Sequence, residues 1–274
     1  MRVQKASPSI GAEIYGIDVS KDLSSDMMSQ LLHLLHEHQV LFFRDQTLSP
    51  EELLHFAQMW GTPVSYPFIK ALEGFPQITP IIKHESEKHN FGGIWHSDTT
   101  YQEIPPMGSL LYALEVPDIG GDTMFANQYL AYETLSPGMK SFLMGLQAQN
   151  ISGKDTVQKT RSDIFKHAAV GLKGDELTAI HPVVRTHPYT KRKSLYVNTA
   201  HTTHFIGMTE EESRPILKFL FDHQTKEEFT CRFRWQKGSL AIWDNRCTMH
   251  YPLNDYHGSK RHMLRVTFEG EKPV

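Results

Sequence analysis

The chain has little sulfur chemistry to offer. Its 274 residues include only two cysteines, Cys231 and Cys247. Two cannot build a disulfide framework, and neither sits in a Cys-x-x-Cys pair that would make a thiolate metal site. That scarcity points to a reducing, cytoplasmic setting. No apolar run approaches the length needed to span a membrane, and the first residues lack the apolar stretch of a signal peptide. An excess of one charge is missing too: 28 Lys and Arg stand against 31 Asp and Glu, a net charge of −3. Such balance argues against a nucleic-acid or membrane-surface partner. No repeat, low-complexity tract or linker-like break divides the sequence, so residues 1–274 read as one domain.

What is present is bulky and apolar. Fifteen Phe, ten Tyr and four Trp accompany 39% hydrophobic and 22% charged residues, the balance of a folded core. Residues 10–18 alternate and hold two glycines, the pattern of a hairpin or strand pair. Ser24-Ser25-Asp26 offers N-caps to a helix with Met28, Leu31, Leu32 and Leu35 at i, i+3, i+4 and i+7. Residues 39–43 form a short apolar run, a buried strand. Ser49-Pro50-Glu51-Glu52 combines a cap, a proline suited to the first helical position and a capping-box glutamate. Its helix buries Leu53, Leu54, Phe56, Ala57 and Trp60 and stops at Gly61.

From residue 77 onward short strands dominate, at 77–82, 109–115, 123–127, 180–186, 194–198, 229–235, 239–244 and 263–269. Further helices start at Ser136-Pro137 and at Thr209, with Glu212 three residues on. Residues 152–177 are polar and weakly patterned, a long insertion able to fold over a site as a lid. The expected fold is mainly β with flanking helices, a double-sheet barrel or jelly roll.

Chemistry enters at Trp95-His96-Ser97-Asp98. In an extended segment His96 and Asp98 share a face. With sixteen histidines in the chain, that spacing alone carries little weight. His250, in an exposed-looking segment after the 239–244 strand, offers a third ligand. Two imidazoles and a carboxylate bind divalent iron on one face and leave positions open; the same set accommodates zinc. Arg261 and Arg265, four apart, share a face of the last strand, and a guanidinium fork recognises carboxylate or sulfonate. Thr123, after Gly120-Gly121-Asp122, adds a hydroxyl donor. An open metal beside an Arg and a Thr is a receptor for a dicarboxylate. Taken singly, each histidine reads better as a surface or capping residue, and Arg261, between Lys260 and His262, as a solvated turn. Arg265 lies in an apolar strand, where an unpaired charge is costly. His181, His187, His201 and His204 read as ordinary polar or loop residues. A metal-dependent hydrolase needs no dicarboxylate clamp, and a non-catalytic jelly-roll binding protein needs neither three ligands nor two buried arginines.

In order and spacing, residues 11–18, Trp95-His96-Ser97-Asp98, Gly120-Gly121-Asp122-Thr123, Trp243-Asp244-Asn245 and His250…Arg261…Arg265 span nearly the whole chain. On them the chain resembles the taurine dioxygenase family of Fe(II)/2-oxoglutarate-dependent dioxygenases. The resemblance implies a double-stranded β-helix core and Fe(II) on His96, Asp98 and His250. It puts the distal carboxylate of 2-oxoglutarate on Thr123 and Arg261, and turns Arg265 to the reaction centre and the substrate's anionic group. It implies 2-oxoglutarate and O2 as co-substrates, with release of succinate and CO2. Asp98 implies hydroxylation, because halogenating relatives carry a small residue there. A homo-oligomer, dimer or tetramer, follows by analogy.

Tyr66 and Ile69 stand where taurine-specific members carry His and Tyr. Local similarity to the phenoxypropionate (aryloxyalkanoate) dioxygenases runs through residues 72–76, 193–198 and 229–235. The expected substrate is a small organic anion with an apolar body, aryloxyalkanoate-like or sulfonate-like, met by Tyr66, Phe68, Ile69, Asn198 and Arg265. A taurine or alkylsulfonate dioxygenase proper, and a metal-dependent hydrolase on a jelly-roll barrel, are the alternatives.

Overall fold

The computed structural model describes residues 1–170 and 177–274. In chain order its elements are β1 (Arg2–Lys5), β2 (Ala12–Tyr15), α1 (Ser25–His38), β3 (Val40–Phe43), α2 (Pro50–Gln58), β4 (Pro63–Val64), β5 (Thr79–Lys83), β6 (Gly108–Glu115), β7 (Thr123–Asn127), α3 (Gln128–Glu133), α4 (Pro137–Leu143) and β8 (Gln147–Ile151). They continue as α5 (Asp155–Arg161), α6 (Phe165–Ala168), β9 (Thr178–Pro182), β10 (Val184–Thr186), β11 (Lys193–Leu195), β12 (Thr202–Phe205), α7 (Glu210–His223), β13 (Thr230–Phe233), β14 (Leu240–Asp244), β15 (Thr248–Pro252) and β16 (Arg261–Phe268).

The large sheet runs β1-β2-β3-β14-β6-β16-β4, with β5 also paired to β16. A smaller sheet, β13-β7-β15, packs against it. Alternation along the central strands sorts the two faces. Leu41 and Phe43, Leu240 and Ile242, Leu110 and Tyr112, and Leu264 and Val266 meet Met28, Leu31 and Leu35 of α1 and Leu53 and Phe56 of α2. The intervening Val40, Phe42, Ala113, Ala241, Trp243 and Met263 pack against Phe125, Cys231 and Phe233 of the small sheet. Phe42 stacks on Phe233 with centroids 4.0 Å apart. This is the expected jelly-roll arrangement, with a sandwich interior open for a site between its sheets.

Local signals account for the helix starts. Ser24 caps α1 by accepting from Met27 N, and Ser49–Glu52 and Thr209–Glu212 form reciprocal capping boxes on α2 and α7. Other boundaries differ from expectation. Residues 10–18 hold one strand, not a hairpin; β2 pairs antiparallel with β1 upstream and parallel with β3. Helix α2 ends at Gln58, although Trp60 beyond it is still buried. The run 180–186 divides between β9 and β10, which join different sheets. His250 lies on a buried strand, not an exposed segment. Within 152–177 the described residues form α5 and α6, tied down by Lys70 N–H to Ala168 O and Val170 N–H to Phe68 O. Residues 171–176 of the expected lid lie outside the described residues. No described helix is long and apolar enough to cross a membrane.

Candidate metal and co-substrate site

β15 pairs with β7 so that His250 lies directly opposite Phe125, a residue of the sandwich interior. His250 therefore faces inward. His96 is bridged to it by two backbone hydrogen bonds, His96 N–H to His250 O at 3.1 Å and His250 N–H to His96 O at 2.8 Å. That bridge sets the imidazole centroids 4.1 Å apart. Asp98 follows in a turn, not in the regular strand the sequence suggests, yet it reaches the same point. Its Oδ1 lies 3.7 Å from His96 Nε2 and 4.0 Å from His250 Nε2. One ligand atom from each of the three falls within 4.8 Å of the others, and all three residues are buried.

Neighbours orient these groups. Ser109 Oγ donates to Asp98 Oδ2 at 2.7 Å, and Arg265 Nη1 donates to Oδ1 at 3.2 Å. Asn245 Nδ2 adds a longer contact to Oδ2 at 3.4 Å. Burial alone raises the Asp98 pKa, but Arg265 and then the two imidazoles outweigh it and hold the carboxyl well below its usual range. Burial, reinforced by the neighbouring His96, pushes His250 down to about 3, so it is neutral near pH 7 with a lone pair to give. His96 Nδ1 donates to Ile94 O at 2.7 Å, which leaves Nε2 as the ligand atom. His250 Nδ1 is buried and has no hydrogen-bond partner among the described residues. Two imidazoles and an ionised carboxylate suit a divalent cation such as iron.

Beside this cluster is a cavity of about 40 Å³ lined by His96, His250, Thr123, Arg261 and Arg265 among others. The alternation of β16 explains both arginines: Leu264, Val266 and Phe268 face the helices, while Arg261, Met263 and Arg265 face inward. Arg261 is buried, and its Nε and Nη2 have no hydrogen-bond partner among the described residues. Burial lowers its pKa, against smaller opposing effects of Tyr256 and Asp122. Trp235 Nε1 donates to Thr123 Oγ1 at 2.9 Å, so the threonine's own proton is free to donate into the cavity. A buried guanidinium with idle donors next to a free hydroxyl fits a carboxylate.

A second cavity, about 20 Å³, adjoins the first along Phe91, Gly92, His96 and Arg265. Tyr66, Tyr101, Arg161, His201 and Arg265 line it together with His96 and Asp98. Of the substrate residues expected from the sequence, Tyr66 is on this wall. Its ring lies 4.5 Å from the Arg265 guanidinium and its hydroxyl 3.5 Å from that of Tyr101. Phe68 and Ile69 sit behind it, packed with Tyr101 and Ile164. Asn198 is not on this wall. Its Nδ2 donates to Thr100 Oγ1 at 3.0 Å, and its Oδ1 accepts from His201 N at 2.9 Å, shaping the turn that presents His201. Sequence reasoning missed Ser109, Arg161 and His201. The first fills an ordinary strand position, and the other two come from segments read as loop.

Among the described residues a second group, His36, His187 and Asp244, also converges. Its carboxylate is already engaged. Arg246 donates to both Asp244 oxygens at 2.8 and 2.7 Å, and His187 Nε2 lies 3.0 Å away. This group is an ion-paired brace. His187, expected in a loop, is completely buried within it.

Comparison with known proteins converges on one family. The family model "Taurine catabolism dioxygenase TauD, TfdA family" matches residues 2–267. An alkylsulfatase of Acinetobacter baylyi is 35% identical over 99% of this chain and 86% of its own length. An alpha-ketoglutarate-dependent sulfate ester dioxygenase of Pseudomonas putida is 33% identical over 97% and 88%. The alpha-ketoglutarate-dependent 2,4-dichlorophenoxyacetate dioxygenase of Cupriavidus pinatubonensis is 30% identical over 95% and 94%. The crystal structure of a taurine dioxygenase from Burkholderia xenovorans superposes with a TM-score of 0.85 at 33% identity, covering 100% of this chain and 92% of that one. This chain belongs to the TauD/TfdA family of alpha-ketoglutarate-dependent dioxygenases, which are oxidoreductases.

Proposed function

We propose that the protein is an Fe(II)- and 2-oxoglutarate-dependent dioxygenase that hydroxylates a small organic anion with an apolar body. The observation that carries this reading is the convergence of His96, Asp98 and His250 beside Arg261, a buried guanidinium whose Nε and Nη2 lack a partner among the described residues. In this reading His96, Asp98 and His250 hold the iron, and Thr123 and Arg261 clamp the distal carboxylate of 2-oxoglutarate. When bound, iron and 2-oxoglutarate supply the oxidising chemistry, in which O2 is consumed, the keto acid becomes succinate and CO2, and a substrate C–H becomes C–OH. The chain's own residues orient and exclude. Ser109 and Arg265 fix the Asp98 carboxylate, while Leu111, Phe91 and Trp243 wall the co-substrate cavity against water. Tyr66, Tyr101 and Arg265 line the substrate side.

The substrate class rests on the relatives, which are named for sulfate esters and an aryloxyacetate, and on a cavity that joins aromatic walls to guanidinium groups. A taurine or alkylsulfonate substrate stays within that class. A hydrolase finds no support, because it gives Arg261 and Thr123 nothing to clamp. The two buried free thiols, Cys231 and Cys247, suit a reducing cytoplasm.

The test is anaerobic addition of Fe(II) and 2-oxoglutarate, watched for the weak visible charge-transfer band of the chelate. A panel of aryloxyalkanoates, alkylsulfonates and alkyl sulfates, read by succinate release, then follows. No band together with no 2-oxoglutarate affinity overturns the dioxygenase reading. Turnover confined to cationic or peptidyl substrates overturns the substrate class.

A further inference from the structure

We propose that Arg161, delivered by α5 to the wall of the substrate-side cavity, is the receptor for the substrate's oxyanion head and a determinant of specificity. The proposal deepens the dioxygenase reading and rests on it. Five arginines are buried: Arg161, Arg185, Arg246, Arg261 and Arg265. Three have a protein acid as counter-charge. Arg185 pairs with Glu271, Arg246 with Asp244 and Arg265 with Asp98. Arg261 has none, and the reading above gives it the distal carboxylate of 2-oxoglutarate. Arg161 also has none among the described residues. Asp163, two positions away, is taken by Lys166 and His89.

Leaving a buried charge without a partner is strongly unfavourable, and no acid among the described residues supplies that partner, which fits an anion brought by the ligand. The distal carboxylate of 2-oxoglutarate is spent on Arg261 and the Asp98 carboxylate on Arg265, so neither is left for Arg161. Its geometry suits a receptor. The residue is 4% exposed, yet it lines the cavity shared with His96, Asp98 and Arg265. Among the described residues one of its five N–H donors is spent, Nη1 donating to Ser152 O at 3.0 Å. The guanidinium lies over the Phe68 and Tyr101 rings, 5.0 Å and 5.7 Å from their centroids, and these aromatic faces support the cation. The chemistry recognised is a carboxylate, sulfonate or sulfate-ester head on a body that packs against Tyr66, Tyr101 and Val157.

The competing role for Arg161 is a brace that ties α5 to Ser152. A brace would not distinguish a charged ligand from a neutral one. The experiment therefore titrates phenoxyacetate, its neutral analogue phenoxyacetamide, hexyl sulfate and hexanesulfonate into the anaerobic Fe(II)–2-oxoglutarate complex of the full chain. Wild type, Arg161→Lys and Arg161→Gln are compared by equilibrium binding. Intact chelate bands establish that each variant is folded; should the Gln variant lack one, the Lys variant carries the test. Arg161→Gln is expected to weaken the oxyanions by roughly 30-fold or more and phenoxyacetamide by less than about threefold. Arg161→Lys should fall between, since a point charge replaces a fork. Which oxyanion loses most identifies the head group. Equal weakening of phenoxyacetate and phenoxyacetamide, or no weakening, overturns the Arg161 assignment while the chelate band leaves the dioxygenase reading standing. Absence of the band in wild type overturns that reading and this one together.

Discussion

Gly92 offers the centre no functional group, yet it borders both cavities. Its φ of +73° lies in the left-handed region, and a Cβ there would stand 3.0 Å from His96 Cε1. Gly92→Ala should therefore displace the imidazole and weaken Mn(II) or Fe(II) binding about 10-fold or more, in the range of disturbed metal surroundings. Gly74→Ala is the control, because Gly74 has a similar φ of +81° with nothing within 4 Å of its Cβ. Equal loss in both variants would mean that backbone strain, not contact with His96, is responsible. For Asp98→Ala we expect loss of hydroxylation altogether, since the variant removes a ligand and strips Arg265 of its counter-charge. Succinate formation coupled to product at the wild-type rate would show that another carboxylate serves. For Arg261→Ala the expected effect is a rise in half-saturation for 2-oxoglutarate of roughly 30-fold or more, the cost of a lost buried charge pair. An unchanged value would remove Arg261 from the clamp.

At the scale of elements, β16 is the clearest case of a sequence pattern carrying function. One residue set, Leu264, Val266 and Phe268, fixes the strand under the helices. That registration forces Arg261 and Arg265 to the opposite face, as their spacing of four already implied. Capped helices were equally legible. Ser49→Ala should cost about 1 kcal/mol in urea unfolding, because the α2 capping box loses a bond to an otherwise unsatisfied N–H. A midpoint equal to wild type would show that α2 is held by packing alone. The strands that escaped the sequence share a cause. β8 reads Gln-Ala-Gln-Asn-Ile, and its inward Asn150 is fully buried because Thr202 Oγ1 donates to its Oδ1 at 2.8 Å. β15 turns His250 inward where alternation would have called for an apolar residue. Hydrophobic period is blind where the interior positions are polar, and chemistry puts polar residues there. His201 and Arg161 were hidden for a related reason: their neighbours in space, Tyr101 and Phe68, are distant in sequence.

For the molecule as a whole, the Asp244 brace links parts that local patterns do not. Asp244 ends β14 in the middle of the large sheet; its partners are His187, between β10 and β11, and Arg246, which also approaches Glu271 near the C-terminus at 3.7 Å. Removing the charge by Asp244→Asn leaves Arg246 buried and poorly compensated, with an expected loss of about 3–5 kcal/mol at neutral pH. The pH dependence follows from the carboxyl's depressed pKa. Burial raises it, but the Arg246 charge and hydrogen bonds, with His187, overcome that effect and hold it far below the usual range. The folded value lies below the unfolded one of about 3.9. Its contribution is thus complete above roughly pH 4 and is lost as pH falls through the folded value, by about 1.4 kcal/mol per unit between the two. The gap between the denaturant midpoints of the metal-free wild type and Asp244→Asn, compared from pH 7 down to pH 3, should begin to narrow only near pH 4 and below. A gap of constant size across that range would mean that the brace acts through shape and packing, without linkage to proton binding.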